Sequence, residues 1–135
     1  EATLFDFGIM TSNMHMTWMR TVCGRLKSDY RYSRDLCYNT FPWPKVSESQ
    51  RKLIETLSQN ILMVREFYPD MTLADLYDPD KMPEDLKKAH NELDLAVDRL
   101  YRKRPFVSDE ERLVHLFTRY EKLVKGEDDA SLFNE

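Results

Sequence analysis

The feature that most constrains the fold is a set of three long stretches in which apolar residues recur every three or four positions. In the first stretch, a capping box formed by Ser47 and Gln50 precedes the repeat and Pro69 follows it. This spacing puts the apolar side chains on one face, so it predicts a helix from residue 48 to about Phe67. The apolar positions are Leu53, Leu57, Ile61 and Val64.

The second and third stretches are bounded in a similar way. Pro83 stands at the first-turn position of the second helix, and Pro105 breaks it. Ser108 and Glu111 form a capping box for the third helix, which we expect to end near Gly126. The apolar face of the second helix is Leu86, Ala89, Leu93, Val97 and Leu100. The apolar face of the third is Leu113, Leu116, Phe117, Tyr120, Leu123 and Val124.

These helices predict a mainly α fold. Three amphipathic helices with short connectors bury one shared core, so we expect residues 46–135 to form a small helical bundle. Residues 72–77 add one short helical turn between the first two long helices. We expect the acidic tail from about residue 127 to be frayed.

Residues 1–45 have a different pattern. Residues 2–10 are apolar and fit either a short helix or a strand. Met14, Trp18 and Val22 repeat at four-residue spacing, which predicts a helix that ends at Gly24. We expect Met10, Met14, Met16 and Met19 to fill the core beside it. A loop and a short strand at residues 36–38 follow. Residues 41–44 (Phe-Pro-Trp-Pro) end this part and can anchor it to the rest, so we place a domain boundary after residue 45.

Cations and aromatic rings alternate between residues 20 and 34, a segment that we call the basic stretch. Lysine and arginine can neutralise phosphates, and tyrosine rings can stack on bases, so the alternation indicates a surface that contacts nucleic acid. Alternatively, the tyrosines pack against a neighbouring helix while the arginines face water. The residues concerned are the cations Arg20, Arg25, Lys27, Arg31 and Arg34 and the rings Tyr30 and Tyr32.

The distribution of charge also favours the N-terminal part as the DNA side. A formal net charge of -4 argues against a general binder of polyanions. Residues 1–45 nevertheless hold six Lys or Arg against four Asp or Glu, a net charge of +2, which leaves -6 for the remainder.

The motifs of catalysis and of cofactor binding are missing. The three glycines are too far apart to form a nucleotide or S-adenosylmethionine loop, and the Asn/Asp-Pro-Pro-Tyr/Phe motif of amino-methyltransferases and carboxylate-rich nuclease motifs are absent. Cys23 and Cys37 are isolated, which argues against a zinc site. We therefore expect this chain to hold no catalytic residue, no metal and no cofactor.

Some polar residues in the predicted helices could be taken for catalytic groups. His15 could act as a general base or contact a phosphate, and Asp94 and Asp98 lie one helical turn apart like paired carboxylates. We interpret His15 as a packing residue and the two aspartates as partners in structural ion pairs.

The cellular context can also be inferred. No apolar run is long enough to span a bilayer, and no signal-peptide pattern is present. Two free thiols suit a reducing compartment, so we expect a cytoplasmic protein without membrane contact. The chain begins at Glu1, and we expect it to be a fragment of a longer protein.

Several short motifs carry a resemblance to a known family. In the first part they are residues 7–12 (FGIMTS), 30–33 (YRYS) and 38–44 (YNTFPWP). In the second part they are residues 77–79 (YDP) and 93–101 (LDLAVDRLY). The first set resembles the end of the target-recognition domain, and the second the helical C-terminal domain, of fused type IIL restriction-modification enzymes of the MmeI kind.

The resemblance implies a function for the parent protein and favours a helix for residues 2–10. In that family one polypeptide carries a nuclease, a DNA adenine methyltransferase that uses S-adenosylmethionine, and a DNA-reading domain. This chain would be the non-catalytic part that recognises or clamps double-stranded DNA, in a bacterial cytoplasm, beside the methyltransferase and recognition domains of the same polypeptide. The alternative is a helical protein-protein interaction module without nucleic-acid contact.

The resemblance also implies roles for individual residues. In these enzymes the positions of Lys27 and Asp29 help to read one base pair. Lysine donates to O6 and N7 of guanine and aspartate accepts from the N4 amine of cytosine, so the pair suits a G·C base pair. An exposed ion pair across Ser28 is the alternative. We assign contacts with the DNA backbone to Arg20, Arg25, Arg31, Arg34, Ser12 and Asn13.

Overall fold

The structure of the protein is a computed structural model that describes residues 3–26 and 39–126. Six α-helices lie within these ranges, and we number them in chain order. They are α1 (Leu4–Thr11), α2 (Asn13–Leu26), α3 (Glu48–Arg65), α4 (Leu73–Leu76), α5 (Glu84–Tyr101) and α6 (Asp109–Val124).

The prediction of a mainly α fold is confirmed. Helices α3, α5 and α6 lie where the apolar repeats place them, and α4 is the predicted short turn. For the apolar segment at residues 2–10 the helix and not the strand is correct, because α1 begins at Leu4 within it. Pro83 directly precedes α5, one position earlier than predicted. No strand occurs in the two described ranges, and the predicted strand at 36–38 and the tail from 127 lie outside them.

The capping signals are formed at α3 and half-formed at α6. At α3, Oγ of Ser47 accepts from the N–H of Gln50 at 3.2 Å, and Oε1 of Gln50 accepts from the N–H of Ser47 at 2.8 Å. At α6, Oγ of Ser108 accepts from the N–H of Glu111 at 3.1 Å. The carboxylate of Glu111 pairs with Arg102 instead of closing the box, so this capping box is only half correct.

The chain packs as two compact units, a division that the sequence did not predict. The first unit contains residues 3–12 and 46–97, and the second contains the described parts of 13–45 and 98–135. Each unit therefore combines one N-terminal helix with parts of the C-terminal helices. Helix α5 supplies residues to both units. The predicted domain boundary after residue 45 stays a prediction.

In the first unit, α1 packs closely on α3 because residue 8 is a glycine. A Cβ atom at Gly8 would lie 2.7 Å from Cγ2 of Ile54 and would also overlap Oγ of Ser58. Ile54 and Ser58 are fully buried, whereas Leu53 is 52% exposed. The apolar face predicted for α3 is therefore wrong by one position at its start, and correct at Ile61 and Val64.

In the second unit, α2 packs against α6. Met14 and Trp18 are buried, as the four-residue repeat predicts. Met16, off that stripe, is 41% exposed, so its predicted core role is wrong, and the same holds for Met10 at the end of α1. In the apolar face predicted for α6, Leu116 is fully buried, whereas Leu123 and Val124 are exposed. The whole face predicted for α5 is buried.

Replacement of Gly8 tests the packing of α1 on α3. We expect Gly8→Ala to lower the free energy of unfolding by about 1–3 kcal/mol, because the new methyl group overlaps Ile54 and Ser58. The measurement is urea-induced unfolding. In the double variant with Ser58→Ala, part of the loss should return, since one of the two overlapping groups has gone.

Gln59→Ala is the matched control, because it introduces the same side chain at an exposed position of α3. We expect it to change the unfolding free energy by less than about 0.5 kcal/mol. A Gly8→Ala variant as stable as the parent would contradict the close packing.

Candidate nucleic-acid interface

Most of the side chains predicted to contact DNA lie outside the described residues, and their roles stay predictions. They are Lys27, Asp29, Tyr30, Arg31, Tyr32 and Arg34. Arg25 belongs to α2, but its side chain is also outside the described part of the chain. The structure does place Arg20, Ser12 and Asn13, together with the residues to which the two ends of the basic stretch attach.

Arg20 lies on an exposed side of α2, with 62% of its side chain accessible. Its Nη2 atom is 3.8 Å from Oδ2 of Asp109 and 3.4 Å from Oγ1 of Thr17. An exposed ion pair at this distance contributes about 0–1 kcal/mol, which is little compared with a phosphate contact. Arg20 is therefore accessible to an anion.

Ser12 and Asn13 lie at the junction of α1 and α2. Ser12 is fully buried, and its Oγ donates to the carbonyl oxygen of Ile9 at 2.6 Å. Asn13 is exposed at the first position of α2. The predicted DNA contacts of both residues stay predictions.

A cluster of rings in the second unit holds the chain on both sides of residues 27–38. Phe41 lies edge-on to His15 with 4.8 Å between ring centroids, and 6.3 Å from Trp18. Trp18 also packs on two rings of α6, at 4.9 and 6.0 Å. We call this group the aromatic cluster, and its members are His15, Trp18, Phe41, Tyr101, Phe117 and Tyr120.

The cluster fixes both ends of the segment that contains most of the basic stretch. Helix α2 leads into residues 27–38, and Phe41 follows them, so one core holds the chain before and after. The packing role of His15 is consistent with its 3% exposure. Of the two residues predicted to anchor the chain after the stretch, Phe41 is buried and Trp43 remains 41% exposed.

A buried hydrogen bond strengthens the second of these attachments. The hydroxyl of Tyr101 donates to the carbonyl oxygen of Pro42 at 2.8 Å. Burial raises the pKa of Tyr101, so the hydroxyl remains protonated and keeps its role as a donor. The guanidinium of Arg119 lies over the same ring at 4.8 Å. Residues 41 and 42 are thus held by packing and by a hydrogen bond.

The end of α5 and the start of α6 are joined by two arginines. Arg112 donates from Nε and Nη2 to the two carboxylate oxygens of Asp98, at 3.0 and 2.7 Å. These hydrogen bonds raise the pKa of Arg112 and keep it charged. Arg102 pairs with Glu111. The ring of Phe106 lies 3.8 Å from the guanidinium carbon of Arg102 and 5.8 Å from that of Arg112. We call these five residues the ion-pair corner.

The ion-pair corner supports the structural interpretation of Asp98. Asp98 is 5% exposed and both its carboxylate oxygens accept from one guanidinium, so neither serves as a catalytic base. Its partner, Arg112, lies on α6. Sequence spacing does not reveal this pair, because a helix break separates the two residues.

Two family models match consecutive parts of this chain. Residues 1–45 match the target recognition domain of MmeI, and residues 46–126 match the C-terminal domain of MmeI. The chain belongs to the MmeI family. The resemblance carried by the sequence motifs is therefore confirmed.

The chain is also similar to parts of two longer proteins. It is 49% identical over 125 residues to DNA methyltransferase A of Bacillus subtilis (strain 168), which covers 93% of this chain and 14% of the relative. It is also similar to a solved structure of the type IIL restriction-modification enzyme MmeI in complex with DNA, with a TM-score of 0.82 and 46% identity. That match covers 93% of this chain and 17% of the other. The chain spans less than a fifth of either protein.

Neither a metal cluster nor a membrane span occurs in residues 3–26 and 39–126. No group of three or more His, Cys, Asp or Glu side chains in these ranges could hold a metal ion. No helix there is both long and apolar enough to cross a bilayer.

In the first unit, hydrogen bonds link the titratable side chains of Arg65, Tyr77 and His90. Nε of Arg65 donates to the hydroxyl oxygen of Tyr77 at 2.9 Å. That hydroxyl can then donate its proton to Nε2 of His90, which is 2.7 Å away. Burial, and secondarily the charge of Arg65, lower the pKa of His90 to about 4, so His90 is neutral at pH 7 and can accept. The group joins α3, the end of α4 and α5.

The depressed pKa of His90 predicts a loss of stability in mild acid. Between pH 6.5 and about 4 the unfolded chain takes up a proton on this histidine and the folded chain does not. The stabilisation is therefore fully present above pH 6.5 and is lost as the pH falls to about 4. Because the side chain is partly exposed, we expect about 1–2 kcal/mol.

The measurement is urea-induced unfolding of the parent and of His90→Gln at several values of pH. Glutamine can still accept from Tyr77 but does not titrate, so the difference between the two proteins isolates this histidine from the carboxylates and the other histidines. We expect the advantage of the parent to shrink on acidification. Equal pH profiles in the two proteins would show that the pKa of His90 is not depressed.

Proposed function

We propose that this chain is the C-terminal part of a bacterial DNA adenine methyltransferase fused to a restriction endonuclease, and that it recognises and clamps double-stranded DNA. The observation that carries this proposal is the likeness to MmeI, at 46% identity and a TM-score of 0.82, in a structure that contains DNA. The family match to a target recognition domain over residues 1–45 gives the same indication.

The aromatic cluster adds a physical reason. A segment that is anchored at both ends in one core loses less conformational freedom on binding than one attached at a single end, so less binding energy is spent on ordering it. Phe41 and Trp18 supply these anchors on the two sides of residues 27–38. The accessible guanidinium of Arg20 extends the positive surface onto α2.

Within this surface the side chains divide into two roles. Lys27 and Asp29 read one G·C base pair, since lysine donates to guanine and aspartate accepts from cytosine. The arginines of the basic stretch neutralise phosphates and set the orientation on the duplex. Tyr30 and Tyr32 pack or stack beside them.

Methyl transfer from S-adenosylmethionine takes place in parts of the polypeptide outside this chain. The residues present do not fit this cofactor, because the sequence contains no glycine-rich loop. A ligand could in principle approach the backbone closely at Gly8, but the side chains of Ile54 and Ser58 fill the space beside this residue. The role of this chain is therefore to position the DNA for the methyltransferase.

A second candidate function is contact with other domains of the same polypeptide. A groove of about 600 Å³ lies along α3 in the first unit, with Leu4 of α1 at its edge, and both apolar and polar side chains line it. Met63 lines it, and Phe67 just after α3 is 60% exposed. An apolar contact here would be nearly insensitive to salt, unlike binding to DNA.

Exchange of the two base-reading residues tests the proposed recognition. The double variant Lys27→Asp with Asp29→Lys should change the preferred base at one position of the bound sequence and leave the other positions unchanged. The measurement is selection of bound duplexes from a randomised DNA pool by the 135-residue chain, followed by sequencing.

Arg31→Ala is the matched comparison, because it removes a phosphate contact. It should weaken binding about equally for all sequences and reduce the dependence of log affinity on log salt by about 1. An unchanged preference after the exchange of Lys27 and Asp29 would refute their role in base reading. If the parent chain binds no DNA at low salt, the proposed function is wrong.

A further inference from the structure

The turn that follows α5 in the second unit presents two adjacent exposed cations, Lys103 and Arg104. Within the described ranges no carboxylate lies within 4 Å of either side chain, whereas Arg20, Arg102 and Arg112 each have a carboxylate at that distance. Arg99, in the last turn of α5, is a third exposed cation close by in sequence. The turn therefore concentrates positive charge in the part of the chain that is acidic as a whole.

The backbone of this turn is held from inside the unit. Arg102 is 7% exposed, and its Nε and Nη2 atoms donate to the carbonyl oxygens of Arg104 at 2.9 Å and Pro105 at 3.0 Å. Its guanidinium also pairs with Glu111 and stacks on Phe106. Since the carbonyl groups are tied to a buried cation, the turn keeps one conformation, with its two cationic side chains accessible.

Such a turn is suited to a phosphate ligand. Lysine and arginine bind phosphate oxygens through charge-assisted hydrogen bonds. A fixed backbone reduces the conformational freedom that is lost when an anion binds. The dipole of α5 explains a cation at Arg99, but not Lys103 and Arg104, which lie beyond the last residue of the helix. Asp109 and Glu110 are exposed carboxylates in the first turn of α6, and Asp109 is already paired with Arg112.

We propose that Lys103 and Arg104 form a second contact with the phosphate backbone of double-stranded DNA, separate from the basic stretch. This inference rests on the proposed function and assigns a DNA contact to the part that matches the MmeI C-terminal domain. The turn belongs to the same compact unit as the aromatic cluster, which holds both ends of residues 27–38. The helical part is then a DNA-binding element and not only a support for the recognition domain.

The test measures binding of the 135-residue chain to a fluorescently labelled DNA duplex of mixed sequence over a series of salt concentrations. For the double variant Lys103→Ala with Arg104→Ala we expect about tenfold weaker binding at low salt. We also expect the slope of log affinity against log salt to fall by about 2, or about 0.9 for each lost phosphate contact. Thermal unfolding should be unchanged, because both side chains are exposed.

The matched control is Lys87→Ala with Lys88→Ala, two exposed lysines of α5 in the first unit. It removes the same two charges from the chain, so it reports the effect of net charge alone, and its salt slope should stay near that of the parent. Equal binding by the turn variant and the parent would overturn the second contact while leaving the proposed function intact. An equal loss in both double variants would also overturn it, because net charge would then explain the effect. Absence of DNA binding by the parent would overturn both proposals.

Discussion

The packing of Phe41 against His15 and Trp18 is the contact on which the rest of the second unit depends. It joins α2 to residues that are more than twenty positions further along the chain. Truncation of a buried aromatic residue to alanine typically costs about 3–5 kcal/mol, so this contact is strong enough to hold two chain segments together. The hydrogen bond from Tyr101 of α5 to the carbonyl oxygen of Pro42 holds the residue next to Phe41 in place. The residues on both sides of the basic segment are therefore already fixed before the segment contacts a duplex.

The cations of the second unit differ in how deeply they are buried. Arg102 and Arg112 are held in the ion-pair corner by Glu111 and Asp98, and their function is to join α5 to α6. An unpaired buried charge is strongly destabilising, so these partners have to be carboxylates. Outside the corner, Arg119 is buried over the ring of Tyr101, whereas Arg20, Lys103 and Arg104 are exposed. A chain with a net charge of -4 can therefore still present positive surface locally, because part of its acidic side chains is neutralised inside the fold.

Local signals determined most of the helices, and for that reason the sequence predicted them. The capping box at Ser47 and the apolar face of α5 depend on residues within a few positions of each other, and both are present as predicted. The division into two units could not be predicted in this way. It depends on which N-terminal helix packs on which C-terminal helix, and Gly8, which permits the close approach of α1 to α3, has no local signature of that role.

The candidate interface shows the same limit. The alternation of cations and rings identified the basic stretch, but only the family resemblance gave Lys27 and Asp29 a role in base reading. The aromatic cluster and the pair of Asp98 with Arg112 are long-range contacts, so the spacing of residues could not reveal them. Glu111 shows how a tertiary contact overrides a local one, because its carboxylate binds Arg102 and leaves the predicted capping box half-formed.

The most direct test of DNA contact through the anchored basic stretch is an NMR titration of the 135-residue chain with duplex DNA at low salt. The amide signals of residues 20–34 should shift most, those of the aromatic cluster should shift little, and added salt should reverse the shifts. Shifts that are largest on α3 and α4 of the first unit, or that do not depend on salt, would contradict this mode of binding.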